Sequence, residues 1–360
     1  MAARATPSSS ACRPRPDPHA RSRPRQAATL SPRHDPHDLV ARARRGEARA
    51  VSLLISMVEN DGPQLREASE ALAPHTGRAQ IVGITGSPGV GKSTTTSALV
   101  ALLRAQGRRI GVLAVDPSSP FSGGALLGDR VRMGEHATDD GVFIRSMATR
   151  GKLGGLAWST PQALRVLDAA GCDVVLIETV GVGQSEIEVV GLADTTLVLL
   201  APGMGDGIQA AKAGILEIAD VLVVNKADRD GAAQTVRDLR YMVSLGARTD
   251  AADGGDVDER WTRPIVRTVA ARAEGIDELV AAVDAHREWL DRSGEGARRR
   301  NRRAEAEIQA VALRRLQERL GDLGGSAALP ALAARVGAGD LDPYSAADAL
   351  IEALGVGRPG

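Results

Sequence analysis

Ile81-Val82-Gly83-Ile84-Thr85-Gly86-Ser87-Pro88-Gly89-Val90-Gly91-Lys92-Ser93-Thr94 is the stretch that decides how the chain folds. Ile81–Thr85 is a short apolar run with the length of a buried strand, and helical patterning begins at Gly91–Lys92. Between them lies Gly86-x4-Gly91-Lys92-Ser93. Glycines in such a loop let the backbone wrap closely around phosphates with its N–H groups turned inward, and the following helix N-terminus adds partial positive charge. The pattern assigns Lys92 to the β- and γ-phosphates and the Ser93 hydroxyl to Mg²⁺. It sets Gly86, Ser87, Pro88, Gly89, Val90, Gly91 and Thr94 around the same nucleotide. A plain glycine-rich turn is the alternative, and the strand–loop–helix context argues against it.

Outward from this loop, short apolar runs alternate with helical ones between Gln80 and Asp291, the pattern of a mostly parallel sheet covered on both faces. Strands are expected over Ile81–Thr85, Ile110–Val115, Val142–Ser146, Val174–Glu178, Thr196–Leu200, Val221–Val224 and Ile265–Val269. Further helices are expected from Thr160–Pro161, near Gly207 and near Gly275. Thr249–Glu259, acidic and glycine-rich, reads as a surface loop. The expected fold class is α/β: a P-loop NTPase with a mostly parallel sheet flanked by helices, an N-terminal helical cap and a C-terminal helical dimerisation arm.

Two later motifs specify the nucleotide and its metal. Val221–Val224 ends in Asn225-Lys226-Ala227-Asp228, the NKxD pattern of GTPases. The Asp228 carboxylate can accept from N1–H and the exocyclic amine of guanine, and adenine offers neither donor there, so a site built this way rejects it. Asn225 is expected to brace the loop and Lys226 to pack along the base. Val174-Val175-Leu176-Ile177-Glu178-Thr179-Val180-Gly181 delivers an acid and then a glycine to the phosphate side, where a carboxylate holds Mg²⁺ through water and the Gly181 N–H senses the γ-phosphate. Lys92, Glu178 and Gly181 are therefore the candidate catalytic residues. Val182 follows Gly181 where signalling GTPases place the water-orienting glutamine, which predicts slow hydrolysis until a partner completes the site. Asp116, at the tip of the second strand, and Asp129, in a loop, are further carboxylates within the metal's reach. Asp116 reads equally well as a turn residue before Pro117, and Pro202–Gly207 as either a mobile loop or a passive connection.

The remainder of the 360 residues bounds the function. Formal net charge is zero, with 43% hydrophobic residues and two cysteines, Cys12 and Cys172. No global field steers the chain toward nucleic acid or an anionic membrane, and the cysteines form neither a disulfide framework nor a metal-ligand spacing. No apolar run spans a bilayer and the first forty residues lack a secretory h-region, so a cytoplasmic protein without nucleic-acid or membrane partners is expected. Residues 1–37 form a Pro/Arg-rich arm that cannot offset its ordering entropy and reads as disordered, with a basic nucleic-acid arm or a transit peptide as alternatives. Residues 38–78 carry two helical patterns, one with Val51, Leu54, Ile55 and Val58 and one opening after Pro63. Residues 79–292 form the nucleotide domain, and 293–360 a helical region for dimerisation. Within it, Arg298–Arg303 reads as a solvated face neutralised by Glu305 and Glu307, with a phosphate patch as the alternative, and Asp342 caps a helix opened by Pro343.

These residues together resemble the methylmalonyl-CoA mutase-associated GTPase family, in the signal-recognition and metallochaperone branch of P-loop GTPases. The resemblance covers about residues 38–355. Its most specific runs are Phe143-Ile144-Arg145-Ser146-Met147-Ala148-Thr149-Arg150-Gly151 and Glu178-Thr179-Val180-Gly181-Val182-Gly183-Gln184-Ser185, supported by Ala114–Pro120, Leu127–Met133 and Asp342-Pro343-Tyr344. It implies a homodimer that binds GTP and GDP with Mg²⁺ and associates with a cobalamin-dependent acyl-CoA mutase, gating adenosylcobalamin delivery and protecting the mutase. It also implies that Asp116, Asp129 and Glu178 serve Mg²⁺ beside Ser93, and that loops near Asp116–Arg132, Glu178–Ser185 and Pro202–Lys212 act as switches. The family's Ser-Ala-Arg guanine loop reads Ala270-Ala271-Arg272 here, which removes the serine contact and leaves a backbone N–H for the base. Met204 and Gly207 are further departures. A metal-delivery GTPase of the same branch would carry a Cys/His cluster that the sequence lacks. An ATP-dependent kinase or transport ATPase conflicts with Asp228.

Overall fold

The computed structural model describes residues 35–60, 64–117, 134–136, 138–149, 159–179, 191–203, 218–252, 260–320 and 328–353. From Pro36 onward they belong to one compact unit. Its centre is a seven-stranded sheet of β1 (Gln80–Thr85), β2 (Ile110–Pro117), β3 (Val142–Thr149), β4 (Val174–Thr179), β5 (Thr195–Leu200), β6 (Val221–Val224) and β7 (Ile265–Arg267). Spatial order is β3-β2-β4-β1-β5-β6-β7, and every neighbouring pair is parallel. All residues of β4 and β5 are buried. A strand covered on both faces has no reason to alternate in polarity, which is why these segments read as continuous apolar runs.

Period-two alternation sends opposite residues of each strand into different cores. Leu113, Val115, Met147, Val175 and Ile177 pack with helices α1 (Pro36–Arg44), α2 (Ala48–Glu59), α3 (Leu65–Leu72) and α5 (Ser159–Ala169), while α4 (Lys92–Ala105) lies on the other face. There, Val82, Ile84, Val112, Leu176, Leu197 and Val223 pack with α4 and with α7 (Ile276–Ser293). A third cluster seats α6 (Ala232–Ala252) on Val198, Leu200, Leu222 and Val224.

The N-terminal cap holds three helices where two were expected. Pro36 opens α1, and Gly46 in a left-handed conformation (φ 87°) ends it, with Gly46 N bonded to Ala43 O and Glu47 N to Arg42 O. Those paired bonds are a Schellman closure, which satisfies the last carbonyls of a short helix. The expected strand through Val269 stops at Arg267: Thr268 N still bonds Val224 O, but Val269 turns away to bridge Glu274 in antiparallel fashion. α6 runs into the expected loop, because Ala247, Arg248, Ala251 and Ala252 are strong helix formers that keep Thr249–Ala252 helical. The helix expected near Gly207 lies outside the described residues.

Among the described residues three further helices follow: α8 (Glu295–Leu320), α9 (Ala328–Gly337) and α10 (Pro343–Ala353), the last capped by Asp342 through Tyr344 N and Ser345 N. The arginine cluster at the start of α8 is not simply a solvated face. Arg299 pairs with Asp220 at 2.9 Å, Arg303 binds Asp194 and Leu192 O, and Glu307, one further turn along, holds Arg165 and Gln162 of α5. Asp194 and Asp220 precede β5 and β6, so this row at four-residue spacing fastens α8 to the N-terminal edge of the sheet. Glu307 is thus spent on α5, and the acid that meets Arg298 and Arg302 is Glu295. Beside the clamp, His286 is fully buried, with Nδ1 2.9 Å from Thr195 Oγ1, and its ring packs in a three-ring cluster with Trp261 and Trp289, which also touch each other.

Candidate active site

At the opposite, C-terminal edge of the sheet, β4, β1, β5, β6 and β7 end side by side, the place where open parallel sheets bind ligands. Gly86 leaves β1 with φ 142°, and a Cβ there would sit 2.3 Å from Leu199 O. Gly91, the residue before α4, has φ 98°, and a Cβ would meet Asn225 Nδ2 at 2.4 Å. Both positions therefore require glycine, for space as much as for backbone conformation. Lys92 is buried and donates from Nζ to Gly86 O at 2.5 Å. Ser93 Oγ donates to Glu178 Oε1 at 2.5 Å, and Glu178 is 1% exposed. The loop and the β4 acid are thus in direct contact, as their separate motifs imply.

Asn225 ties three segments together. Its Nδ2 donates to Val90 O at 2.8 Å, and its Oδ1 accepts from Thr268 Oγ1 and Ala270 N, both at 3.1 Å. Lys226 adopts a left-handed φ of 57° and reaches Gly89 O with Nζ at 2.6 Å. A non-glycine residue there is strained unless its surroundings hold it; the Ala227 N to Thr268 O bond supplies one such hold. Asp228 is half-exposed and faces Arg272, with Oδ2 3.3 Å from Nη1. Ala270 N–H is committed to Asn225, and Ala271, next along, is exposed. Thr268 is a contributor that motif reading missed, since no pattern marks a threonine one residue past a short strand.

Of the remaining expected residues, Asp116 lies near the end of β2, in register with Ala148 of β3. Asp129, Gly181, Val182, Met204 and Gly207 lie outside the described residues. The loop Gly86–Thr94, the acid Glu178 and the tetrad Asn225–Asp228 stand at one edge with the Ala270–Arg272 turn.

Residues 48–323 match the model of the family described as methylmalonyl Co-A mutase-associated GTPase MeaB. The chain belongs to that family. It is 46% identical over 317 residues to a protein of Pyrococcus abyssi (strain GE5 / Orsay) named as a GTPase, covering 88% of this chain and 96% of that one. It is 33% identical over 326 residues to the Mus musculus protein named methylmalonic aciduria type A homolog, mitochondrial, covering 86% and 77%. Among solved structures, that of an LAO/AO transport system kinase aligns with TM-score 0.62 and 26% identity, over 89% of this chain and 98% of that one. This MeaB-family protein is accordingly a P-loop GTPase that binds guanine nucleotide, and among its described residues no helix is long and apolar enough to cross a membrane.

Proposed function

We propose that this GTPase is the nucleotide-driven chaperone of a cobalamin-dependent acyl-CoA mutase, acting as a homodimer in the cytoplasm and gating adenosylcobalamin delivery. The observation that carries the guanine-nucleotide part is the Asn225 lacing, which joins the phosphate loop at Val90 to the base-side turn at Ala270. Phosphates and base are then held by one rigid unit, with Asp228 placed to accept guanine's two donors. The family's description and the name of the mouse relative support the mutase as partner.

In this reading Gly86–Thr94 cradle the phosphates, Lys92 leaves Gly86 O for the β- and γ-phosphates, and Ala271 offers its N–H to the base. The chemistry of the donor set fits Mg²⁺: a buried carboxylate and a hydroxyl in contact are hard oxygen ligands, with Asp116 and Asp129 as further carboxylates. When bound, Mg²⁺ neutralises charge developing on the phosphate oxygens. The chain's own part is to position: Lys92 supplies fixed positive charge, Glu178 and Ser93 hold their oxygens in place, and Gly181 senses the γ-phosphate. Val182 leaves the attacking water without a side-chain partner, so hydrolysis is slow until the mutase orders the site. Dimerisation is supported by the outer half of α8, where Ile308 (68% exposed), Leu313 and Leu316 face solvent in the single chain.

Displacement of a fluorescent GDP analogue tests the nucleotide assignment. GTP and GDP should displace it far below the concentration of ATP that does so, and equal potency of ATP would refute the guanine reading.

A further inference from the structure

Arg272 and Glu274 form a pair that no step above uses. The turn that carries them is tightly closed: Val269 N bonds Glu274 O, Arg272 N bonds Val269 O at 2.8 Å, and Ala273 adopts a left-handed φ of 56°. From this turn the Arg272 guanidinium reaches two acids at once. Nε meets Glu274 Oε1 at 2.7 Å and Nη2 meets Oε2 at 3.3 Å, while Nη1 meets Asp228 Oδ2 at 3.3 Å. The contact to Glu274 is the shorter and two-pronged, the stronger arrangement for a guanidinium.

Asp228 is the carboxylate that guanine must engage. Asn225 and Lys226 already make bonds compatible with a filled site: Asn225 braces Val90 O against Thr268 and Ala270 N, and Lys226 reaches Gly89 O. Arg272 alone among the described residues occupies an oxygen that the base needs. We infer that Arg272 is a kinetic gate of the base site: it neutralises Asp228 in the nucleotide-free protein, must yield Oδ2 as guanine enters, and is retained by Glu274 when it does. The inference rests on the guanine-site reading above and adds to it a residue that sets how fast the site fills.

The two side chains then act with opposite sign. Removing Arg272 leaves Asp228 solvated and open, so association speeds up. Removing the Glu274 charge leaves Arg272 a single anion to pair with, and association slows. The Arg272–Asp228 contact is half-exposed and screened by solvent, so each change is modest, about two- to fivefold.

Stopped-flow binding of a fluorescent GDP analogue to the full chain, Arg272→Ala and Glu274→Gln measures association and dissociation separately. The expected result is an association rate constant raised in Arg272→Ala and lowered in Glu274→Gln. Equal association rate constants in all three proteins would overturn the gate while leaving the guanine site standing. So would faster dissociation as the only effect of Arg272→Ala, because Arg272 would then be holding the bound base. Failure of the unaltered chain to bind the analogue would instead remove the guanine-site reading and the gate with it.

Discussion

Asn225→Ala removes the lacing that holds the site together, and its cost follows from the bonds it breaks. Asn225 is 3% exposed and makes one bond to Val90 O and two from Thr268 Oγ1 and Ala270 N. The threonine hydroxyl can rotate to a new partner, but the Val90 carbonyl and the Ala270 N–H cannot. Each buried group left without a partner costs about 1–3 kcal/mol, so the substitution costs about 3 kcal/mol with partial relief from an entering water. Because both orphaned groups sit in the loops proposed to meet nucleotide, much of this should appear as lost affinity, up to about 150-fold for 3 kcal/mol. Calorimetric titration with GDP reads the affinity, and thermal unfolding without nucleotide reads the rest. Gly91→Ala gives an internal check, since its Cβ would press on Asn225 Nδ2 at 2.4 Å. Its penalty should be smaller in the Asn225→Ala background, where only the strain of φ 98° persists. GDP affinity within about threefold of the unaltered chain, or a Gly91→Ala penalty identical in both backgrounds, would refute the reasoning.

Asp228→Asn exchanges an acceptor pair for one donor and one acceptor, which suits the 2-oxo group of xanthine, so competition assays should show preference moving from GDP toward XDP. A chain ending after Glu307 keeps the Arg299, Arg303 and Glu307 fastenings and loses Ile308, Leu313 and Leu316; light scattering should find it monomeric and folded, and should find the full chain dimeric. A chain ending at Ser293 strips the arginines from Asp194 and Asp220, which are nearly buried, and should lose about 3–5 kcal/mol of stability as well. Burial is the largest influence on His286 and lowers its pKa from 6.5 to about 4, Asp220 and Asp194 opposing this and Arg299 reinforcing it. The folded state therefore resists protonation that the unfolded chain accepts: the neutral-His contribution is present above pH 6.5 and is lost as pH falls toward 4, about 3 kcal/mol in all. Urea unfolding at several pH values should show a shallower loss across this window for His286→Gln, and parallel pH profiles would contradict the assignment.

The sheet and the site were legible for the same reason: both depend on local pattern. Strands β4 and β5, buried on both faces, announce themselves as apolar runs, and the phosphate loop, Glu178 and Asn225–Asp228 each sit where a run ends. What escaped the sequence depends on partners far along the chain. Arg299 and Arg303 looked solvated because the acids they meet, Asp220 and Asp194, lie 79 and 109 residues away. Helix α1 escaped because its buried face is only Leu39, Val40 and Ala43 beside Pro36, too few apolar residues to set a period. Thr268 and His286 carry no motif, and only the closure of β7 and α7 against the strands shows what they bond.

Chaperone function is the central claim, and GTP hydrolysis measured while titrating in a cobalamin-dependent acyl-CoA mutase tests it most directly. The account predicts slow turnover of the GTPase alone and a saturable rise with mutase of about thirtyfold or more, the effect of about 2 kcal/mol of prepositioning around Glu178. Linkage then requires that the mutase bind the GDP state and the state with a non-hydrolysable GTP analogue with different affinity. A flat titration together with equal affinity in the two nucleotide states would contradict the chaperone account and leave a GTPase with another client.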